Sequence, residues 1–104
     1  MKTLTNYVNG TFCESNTKEF LDVENPATEE IIAKVPLSTR EDLDKAVSAA
    51  KDAFPSWRRT PPTERCKYIF KFKNLIEENF EEIATLVTKE HGKNLDEARG
   101  DLRR

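Results

Sequence analysis

Short apolar runs alternate with polar turns through the first third of the chain. In "YVNGTF", Asn9 and Gly10 separate two such runs, and Asn-Gly accepts the positive φ angles of a tight type I′ turn. A second pair of apolar runs flanks "NPATEE", where Asn25 and Pro26 favour a turn. The pattern therefore predicts two β-hairpins within residues 1–36.

The apolar spacing changes to a helical period after these hairpins. Thr39 and Asp42 have the spacing of a capping box, in which each residue bonds the backbone N–H of the other. Apolar residues then recur every three or four positions up to Phe54. Because proline lacks an N–H and disrupts a helix interior, we expect this helix to end at Pro55 and a short linker, "PSWRRT", to follow.

Three further helices are predicted in the rest of the chain. The prolines of "TPPTE" suit a first helical turn, and the apolar stripe that follows breaks slightly near Asn79. Gly92 is placed to end the third helix. Asn94, with Glu97 three residues later, is placed to cap a fourth. The layout is two hairpins followed by about four helices, which occupy residues 37–104.

Composition and charge narrow the class of protein. The 104 residues carry a net charge of −2, and 35% of them are charged. No apolar run approaches the roughly 20 residues that span a bilayer, and the first residues lack the apolar core of a secretory signal. We expect a cytoplasmic protein with no membrane partner. Because two-stranded hairpins are marginal alone, the layout also indicates a piece of something larger.

The chain contains no complete catalytic or metal-binding constellation. Its three glycines are too far apart for a phosphate-binding loop. Cys13 and Cys66 lack metal-ligand spacing and are interpreted as core cysteines. His91, the one histidine, lies in the last turn of a predicted helix, where a cation complements the helix dipole. The motif "WRR" at Trp57 could stack on nucleic acid, but the acidic net charge argues against a nucleic-acid partner.

Arg104 is the one candidate for ligand binding. At about 100° per residue it lies above Gly100, on a different side of the last helix from Leu102. Glycine costs a helix about 1 kcal/mol relative to alanine, so Gly100 calls for a reason, such as close approach of another segment or a small ligand. Arg104 would then grip a carboxylate with two parallel hydrogen bonds. The alternative is a solvated arginine at a frayed helix end.

The motifs together resemble the N-terminus of the aldehyde dehydrogenase superfamily, over essentially the whole chain. Each motif is weak alone, but their order is specific. In chain order they are "YVNG", "NPAT", an alanine-rich helix ending in "AF", then Trp57, "ER" at 64, "EHGK" at 90 and "EA" at 97. Within the superfamily, "KVPLST" and "EARGDLRR" are most similar to the CoA-acylating branch that acts on methylmalonate and malonate semialdehydes.

This resemblance implies an α/β parent enzyme and a reaction. Residues 1–104 would form the outer, N-terminal part of its NAD-binding domain, with the catalytic cysteine and the nucleotide-binding strands further along the parent. The implied cofactor is NAD and the implied co-substrate is coenzyme A. Oxidation of the semialdehyde would give propionyl-CoA or acetyl-CoA, in a homo-oligomer, a tetramer. Arg104 aligns with an arginine implicated in binding the substrate carboxylate.

By the same resemblance, residues 1–104 hold no catalytic or cofactor-binding residue, and we expect no activity and no bound cofactor from the chain alone. Two alternatives stay open. The parent could be a hydrolytic dehydrogenase, such as one that acts on succinate semialdehyde. The chain could also be a short, non-enzymatic binding or assembly module.

Overall fold

The computed structural model describes residues 2–104, which form five strands and four helices in two compact units. The first unit includes residues 2–23 and 31–59, and the second includes residues 24–30 and 60–104. The strands are β1 (Lys2–Thr3), β2 (Asn6–Val8), β3 (Thr11–Cys13), β4 (Phe20–Glu24) and β5 (Ile31–Pro36). The helices are α1 (Arg40–Arg59), α2 (Pro62–Glu78), α3 (Phe80–His91) and α4 (Leu95–Arg103).

Strands β2 and β3 form the first predicted hairpin, which is confirmed. Asn9 has a φ of 52° and Gly10 a φ of 80°, the two positive angles that a type I′ turn requires. Tyr7 is opposite Phe12 in the antiparallel register, and their rings meet edge to face with centroids 4.9 Å apart. Such cross-strand aromatic pairs stabilise a hairpin.

Strands β4 and β5 form the second predicted hairpin, but the sheet has one strand more than predicted. The strand order is β1-β5-β4, and β1 runs parallel to β5, with Lys2 beside Ala33 and Thr3 beside Lys34. The hydrogen bond from the Leu4 N–H to the Lys34 carbonyl, 2.8 Å long, extends this pairing. A two-residue polar strand has no alternating apolar pattern, so β1 could not be predicted from the sequence.

Helix α1 begins as predicted and ends later than predicted. The Thr39 N–H donates to Asp42 Oδ2 at 2.9 Å and the Asp42 N–H donates to Thr39 Oγ1 at 3.2 Å, which confirms the capping box. The prediction that Pro55 ends the helix was wrong, because α1 continues to Arg59. Proline removes one backbone hydrogen bond. Residues 51–59 are all exposed, so water can satisfy the freed carbonyl.

The helix boundaries of the second unit agree with the predictions. Helix α2 begins at Pro62, and Asn79, with φ −112° and ψ 19°, separates α2 from α3. Gly92 closes α3 with a φ of 90°, its N–H donating to the Thr88 carbonyl at 2.9 Å. Asn94 caps α4 by accepting from the Glu97 N–H at 2.9 Å.

Burial is concentrated where α3 packs against α4. Ala84 on α3 and Ala98 on α4 are fully buried, and no other residue between 2 and 104 is classed as buried. Helix α2 instead exposes its apolar side chains, Ile69 and Phe70 each to 67%. The predicted apolar stripe of α2 therefore exists but is not covered within the described residues. None of the helices in residues 2–104 is long and apolar enough to cross a membrane.

Candidate functional site

Arg104 lines an open hollow beside α4. The hollow has a volume of about 500 Å³ and is lined by Lys93, Asn94, Asp96, Glu97, Gly100, Asp101 and Arg104. The sequence prediction that Arg104 and Gly100 share one side of the helix is in agreement with this lining. A Cβ added at Gly100 would meet no atom within 4 Å. Within residues 2–104, then, no segment makes the close approach that would explain this glycine.

The Arg104 guanidinium is exposed and is not committed to another side chain. Among residues 2–104, none of the ion pairs within 4.0 Å involves Arg104. Arg103, its neighbour, is occupied instead, because its guanidinium carbon lies 5.6 Å from the centroid of the Phe80 ring, within cation–π range. The two arginines therefore differ in their surroundings, because Arg103 lies over an aromatic ring and Arg104 lines the hollow.

A second cation in the hollow, Lys93, is neutralised locally. Its Nζ donates to Asp101 Oδ2, and the Lys93 side chain is only 22% exposed. This hydrogen bond holds the pKa of the Asp101 carboxyl below its ordinary value, and the positive charges of Lys93, Arg104 and His91 lower it further. Asp101 therefore stays ionised at neutral pH, and Arg104 faces a carboxylate in its surroundings without forming an ion pair with it.

Helix α4 is attached to α3 by a second arginine. The Arg99 guanidinium donates through Nε to Glu81 Oε1 at 2.8 Å and through Nη2 to Glu81 Oε2 at 2.9 Å. A third donor, Nη1, bonds Asp96 Oδ1 at 2.9 Å. The hydrogen bond from Arg99 lowers the pKa of the Glu81 carboxyl, and its partner Glu81 raises the pKa of Arg99. Two parallel hydrogen bonds of this kind fix the relative orientation of the guanidinium and the carboxylate and also strengthen their attraction.

The turn before α4 rests on the turn that contains Pro26. The Asn25 N–H donates to the Glu30 carbonyl at 2.8 Å and Asn25 Oδ1 accepts from the Ala27 N–H at 2.9 Å, so "NPAT" forms a closed turn as predicted. A Cβ at Gly92 would lie 2.9 Å from Pro26 Cγ. Gly92 is therefore required both for its positive φ and for its missing side chain.

The remaining candidates from the sequence do not form a site. His91 is the last residue of α3, at the position predicted. Cys66 is exposed, which corrects its interpretation as a core cysteine, because the α2 face that carries it is uncovered. Cys13 is only half-buried. No group of three His, Cys, Asp or Glu side chains that could hold a metal ion occurs in the part of the chain that the structure describes.

Sequence reasoning missed the ion pairs that fix α4. Glu81 and Arg99 are 18 residues apart, which is far outside the i, i+3 and i, i+4 spacing that reveals helix pairs. Lys93 and Asp101 are 8 residues apart, across a helix start. The signal that could have found them was the charge order on the last two helices, once the helices were paired antiparallel by their short connection.

The comparisons with known proteins agree with one another on a single family. The sequence profile of the aldehyde dehydrogenase family matches residues 12–104. A methylmalonate-semialdehyde/malonate-semialdehyde dehydrogenase, described as acylating and mitochondrial, from Dictyostelium discoideum is 51% identical over 96 residues, which is 92% of this chain and 18% of the relative. Malonate-semialdehyde dehydrogenase 2 from Bacillus mycoides is 50% identical over 104 residues, all of this chain and 22% of the relative.

A solved structure has the same fold. It is described as a methylmalonate-semialdehyde dehydrogenase from Sinorhizobium meliloti in complex with NAD, and it superposes with a TM-score of 0.93 at 35% identity, over 98% of this chain and 21% of that one. The chain spans about a fifth of the length of the curated relatives it matches. The strands and four helices are those of the N-terminal part of an α/β aldehyde dehydrogenase.

Proposed function

Because this chain belongs to the aldehyde dehydrogenase family, we propose that it is part of an NAD-dependent, CoA-acylating dehydrogenase of malonate or methylmalonate semialdehyde. The observation that carries the proposal is identity of about half with relatives named for these substrates, over 92% and 100% of the chain. The related structure in complex with NAD supports the cofactor. The acylating activity named for the Dictyostelium relative supports coenzyme A as the proposed acceptor, with propionyl-CoA or acetyl-CoA as the proposed product.

We assign Arg104 to the substrate carboxylate. The semialdehyde must lose water around its carboxylate when it enters an active site, and an unpaired desolvated charge is costly. Arg104 lines the hollow beside α4 and, within residues 2–104, has no ion-pair partner closer than 4.0 Å. Its guanidinium can donate two parallel hydrogen bonds to a carboxylate, which a lysine cannot do.

The chain's own residues supply binding and orientation, and the reactive groups belong to the rest of the enzyme. We give neither Cys13 nor Cys66 a catalytic role, because neither lines the hollow that contains Arg104. NAD, when bound to the whole enzyme, accepts the hydride. We therefore expect the 104-residue chain alone to produce no NADH from any semialdehyde. We further propose that the whole enzyme is a homo-oligomer, a tetramer.

The exposed apolar surface supports a part in a larger enzyme over a short binding module. Large side chains of the second unit, such as Ile69, Phe70 and Phe72, are more than 60% exposed. Contiguous apolar surface of this kind marks a face that another part of a protein covers. A hydrolytic semialdehyde dehydrogenase remains the second candidate. It shares the fold, and it differs from the first in using water where the first uses coenzyme A.

A chimeric enzyme tests the proposal. The equivalent segment of the Bacillus mycoides malonate-semialdehyde dehydrogenase, to which the chain is 50% identical over its full length, is replaced by residues 1–104. We expect NADH formation from malonate semialdehyde that requires coenzyme A, and none from the same enzyme with the segment deleted. An inactive but folded chimera, or one that prefers succinate semialdehyde, would contradict the proposal.

The role of Arg104 is tested in the same chimera by Arg104→Lys. We expect kcat/KM for malonate semialdehyde to fall about 30- to 1000-fold, as when a desolvated charge pair is broken. Propionaldehyde has no carboxylate and should be affected far less. Equal losses on both substrates would mean that Arg104 supports the fold, and no loss on either would mean that it is solvated.

A further inference from the structure

The position of Arg104 depends on how α4 is held against α3. Arg104 follows directly after the residues of α4, so a shift or rotation of that helix would move the Arg104 side chain. A misplacement of about 1 Å can cost an active site much of its activity. A side chain that must pair with a substrate carboxylate therefore needs a helix whose orientation is fixed by contacts to a neighbouring element.

The contact with the best geometry for this purpose is the Arg99–Glu81 pair. Both carboxylate oxygens of Glu81 accept, at 2.8 Å and 2.9 Å, so the pair fixes an orientation as well as a distance. The third bond, to Asp96 at 2.9 Å, ties the same guanidinium back to the first turn of α4. Three of the five guanidinium donors are thereby used within residues 2–104, and the Arg99 side chain is 30% exposed.

The other contacts around α4 cannot replace this pair. Lys93 and Asp101 join the turn before α4 to α4 itself, so they do not set the distance from α3. Arg103 lies over Phe80 at the start of α3, and a cation over a ring face tolerates sliding more than a two-pronged hydrogen bond does. Between these ends, fully buried Ala98 lets α4 lie close to α3 but does not fix its rotation.

We propose that Arg99 is a positioning residue for Arg104, acting through the axis of α4. Arg99 does not line the hollow, and it lies five residues, about 7.5 Å, before Arg104 along the helix. It therefore reaches the substrate only through the helix that it fixes to Glu81. The inference rests on the proposed role of Arg104 as the group that pairs with the substrate carboxylate.

The test uses the active chimera with Arg99→Met, Glu81→Gln, their combination, and the swapped pair Glu81→Arg with Arg99→Glu. KM and kcat are measured for malonate semialdehyde and for propionaldehyde. The matched control is Arg58→Met, which removes an exposed arginine near the end of α1. Thermal unfolding of every variant shows whether the enzyme remains folded. Arg104→Lys, measured beside them, reports on the proposed function itself.

We expect Arg99→Met and Glu81→Gln each to raise KM for malonate semialdehyde about five- to tenfold and to leave propionaldehyde within twofold. The combined variant should lose no more than either alone, because both remove one pair. The swapped pair should regain at least half of the lost affinity, and the control should behave as the parent chimera.

Two results would overturn the inference and are distinguishable from failure of the proposed function. If Arg104→Lys discriminates between the two aldehydes and Arg99→Met does not, Arg104 keeps its role and Arg99 is only a surface ion pair. If Arg99→Met lowers activity on both aldehydes equally and its melting temperature falls, Arg99 supports the fold alone. If Arg104→Lys shows no discrimination, the carboxylate role fails and the inference fails with it.

Discussion

The three glycines of the chain should respond differently to substitution by alanine, and the series separates the cost of a positive φ from the cost of a steric clash. Gly92→Ala should be the most damaging. Gly92 has a φ of 90° and its added Cβ would lie 2.9 Å from Pro26 Cγ. The left-handed conformation costs a residue with a Cβ roughly 1–2 kcal/mol, and forcing the proline ring aside adds about 1–3 kcal/mol. We expect a loss of about 2–5 kcal/mol in the free energy of unfolding.

The other two glycines separate these contributions. Gly10 has a φ of 80° but nothing within 4 Å of its added Cβ, so Gly10→Ala should show only the backbone cost of about 1–2 kcal/mol. Gly100 lies in a helix with open space around it, and Gly100→Ala should stabilise the chain by about 1 kcal/mol through helix propensity. The same glycine-to-alanine change should therefore destabilise the chain at Gly92 and Gly10 and stabilise it at Gly100.

The assay is urea unfolding of the 104-residue chain, followed by far-ultraviolet circular dichroism for the helices and by Trp57 fluorescence for the first unit. Pro26→Ala combined with Gly92→Ala should recover the steric part of the loss and leave the backbone part. The reasoning would be refuted if Gly100→Ala destabilised the chain as much as Gly92→Ala. Equal losses at Gly10 and Gly92 would remove the steric contribution assigned to Pro26.

Three further results are expected from the same chain. Pro55→Ala should stabilise α1, by up to about 3 kcal/mol because it restores a missing backbone hydrogen bond, and a lower urea midpoint would contradict this. Hydrogen bonds from Ser15 and from the Thr39 N–H lower the pKa of Asp42 from its ordinary value of 3.8, so the stabilisation by Asp42 is present above pH 3.8 and is lost as the pH falls below that value. The urea midpoint of Asp42→Asn should therefore depend less on pH in that range. If the midpoint of Asp42→Asn fell with pH as it does in the parent chain, the helix cap would not be the cause of the pH dependence. Hydrogen exchange should be slowest where α3 packs on α4 and fast in the β2–β3 hairpin, and uniform protection would indicate a single cooperative unit.

Local chemistry explains the parts of the fold that were predicted from the sequence. Asn9-Gly10, Thr39 with Asp42, and Asn94 each act on a backbone only two to four residues away, so their partners are visible in the sequence itself. The same holds for Gly92, whose positive φ ends a helix. Boundaries set by such short-range hydrogen bonds came out where they were expected.

The predictions that failed depend on groups distant in the sequence or on solvent. Helix α1 passes Pro55 because its last turns are exposed, and exposure is not encoded by a nearby residue. The Glu81–Arg99 pair joins two helices whose rotation about their axes only packing decides. The apolar stripe of α2 predicted a core position for Cys66. Such a stripe shows that one face of a helix is apolar, but it does not show what covers that face.

The parallel strand β1 has a consequence for the order of events during synthesis. Lys2 pairs with Ala33, so β1 leaves the ribosome before its partner exists. At about 5–20 residues per second the interval is roughly 2–6 seconds, which is long compared with the microseconds in which a hairpin such as β2–β3 closes. During that interval an apolar strand with an open edge would be a template for aggregation. Because β1 consists of a lysine and a threonine, it can remain solvated during this interval with little tendency to aggregate.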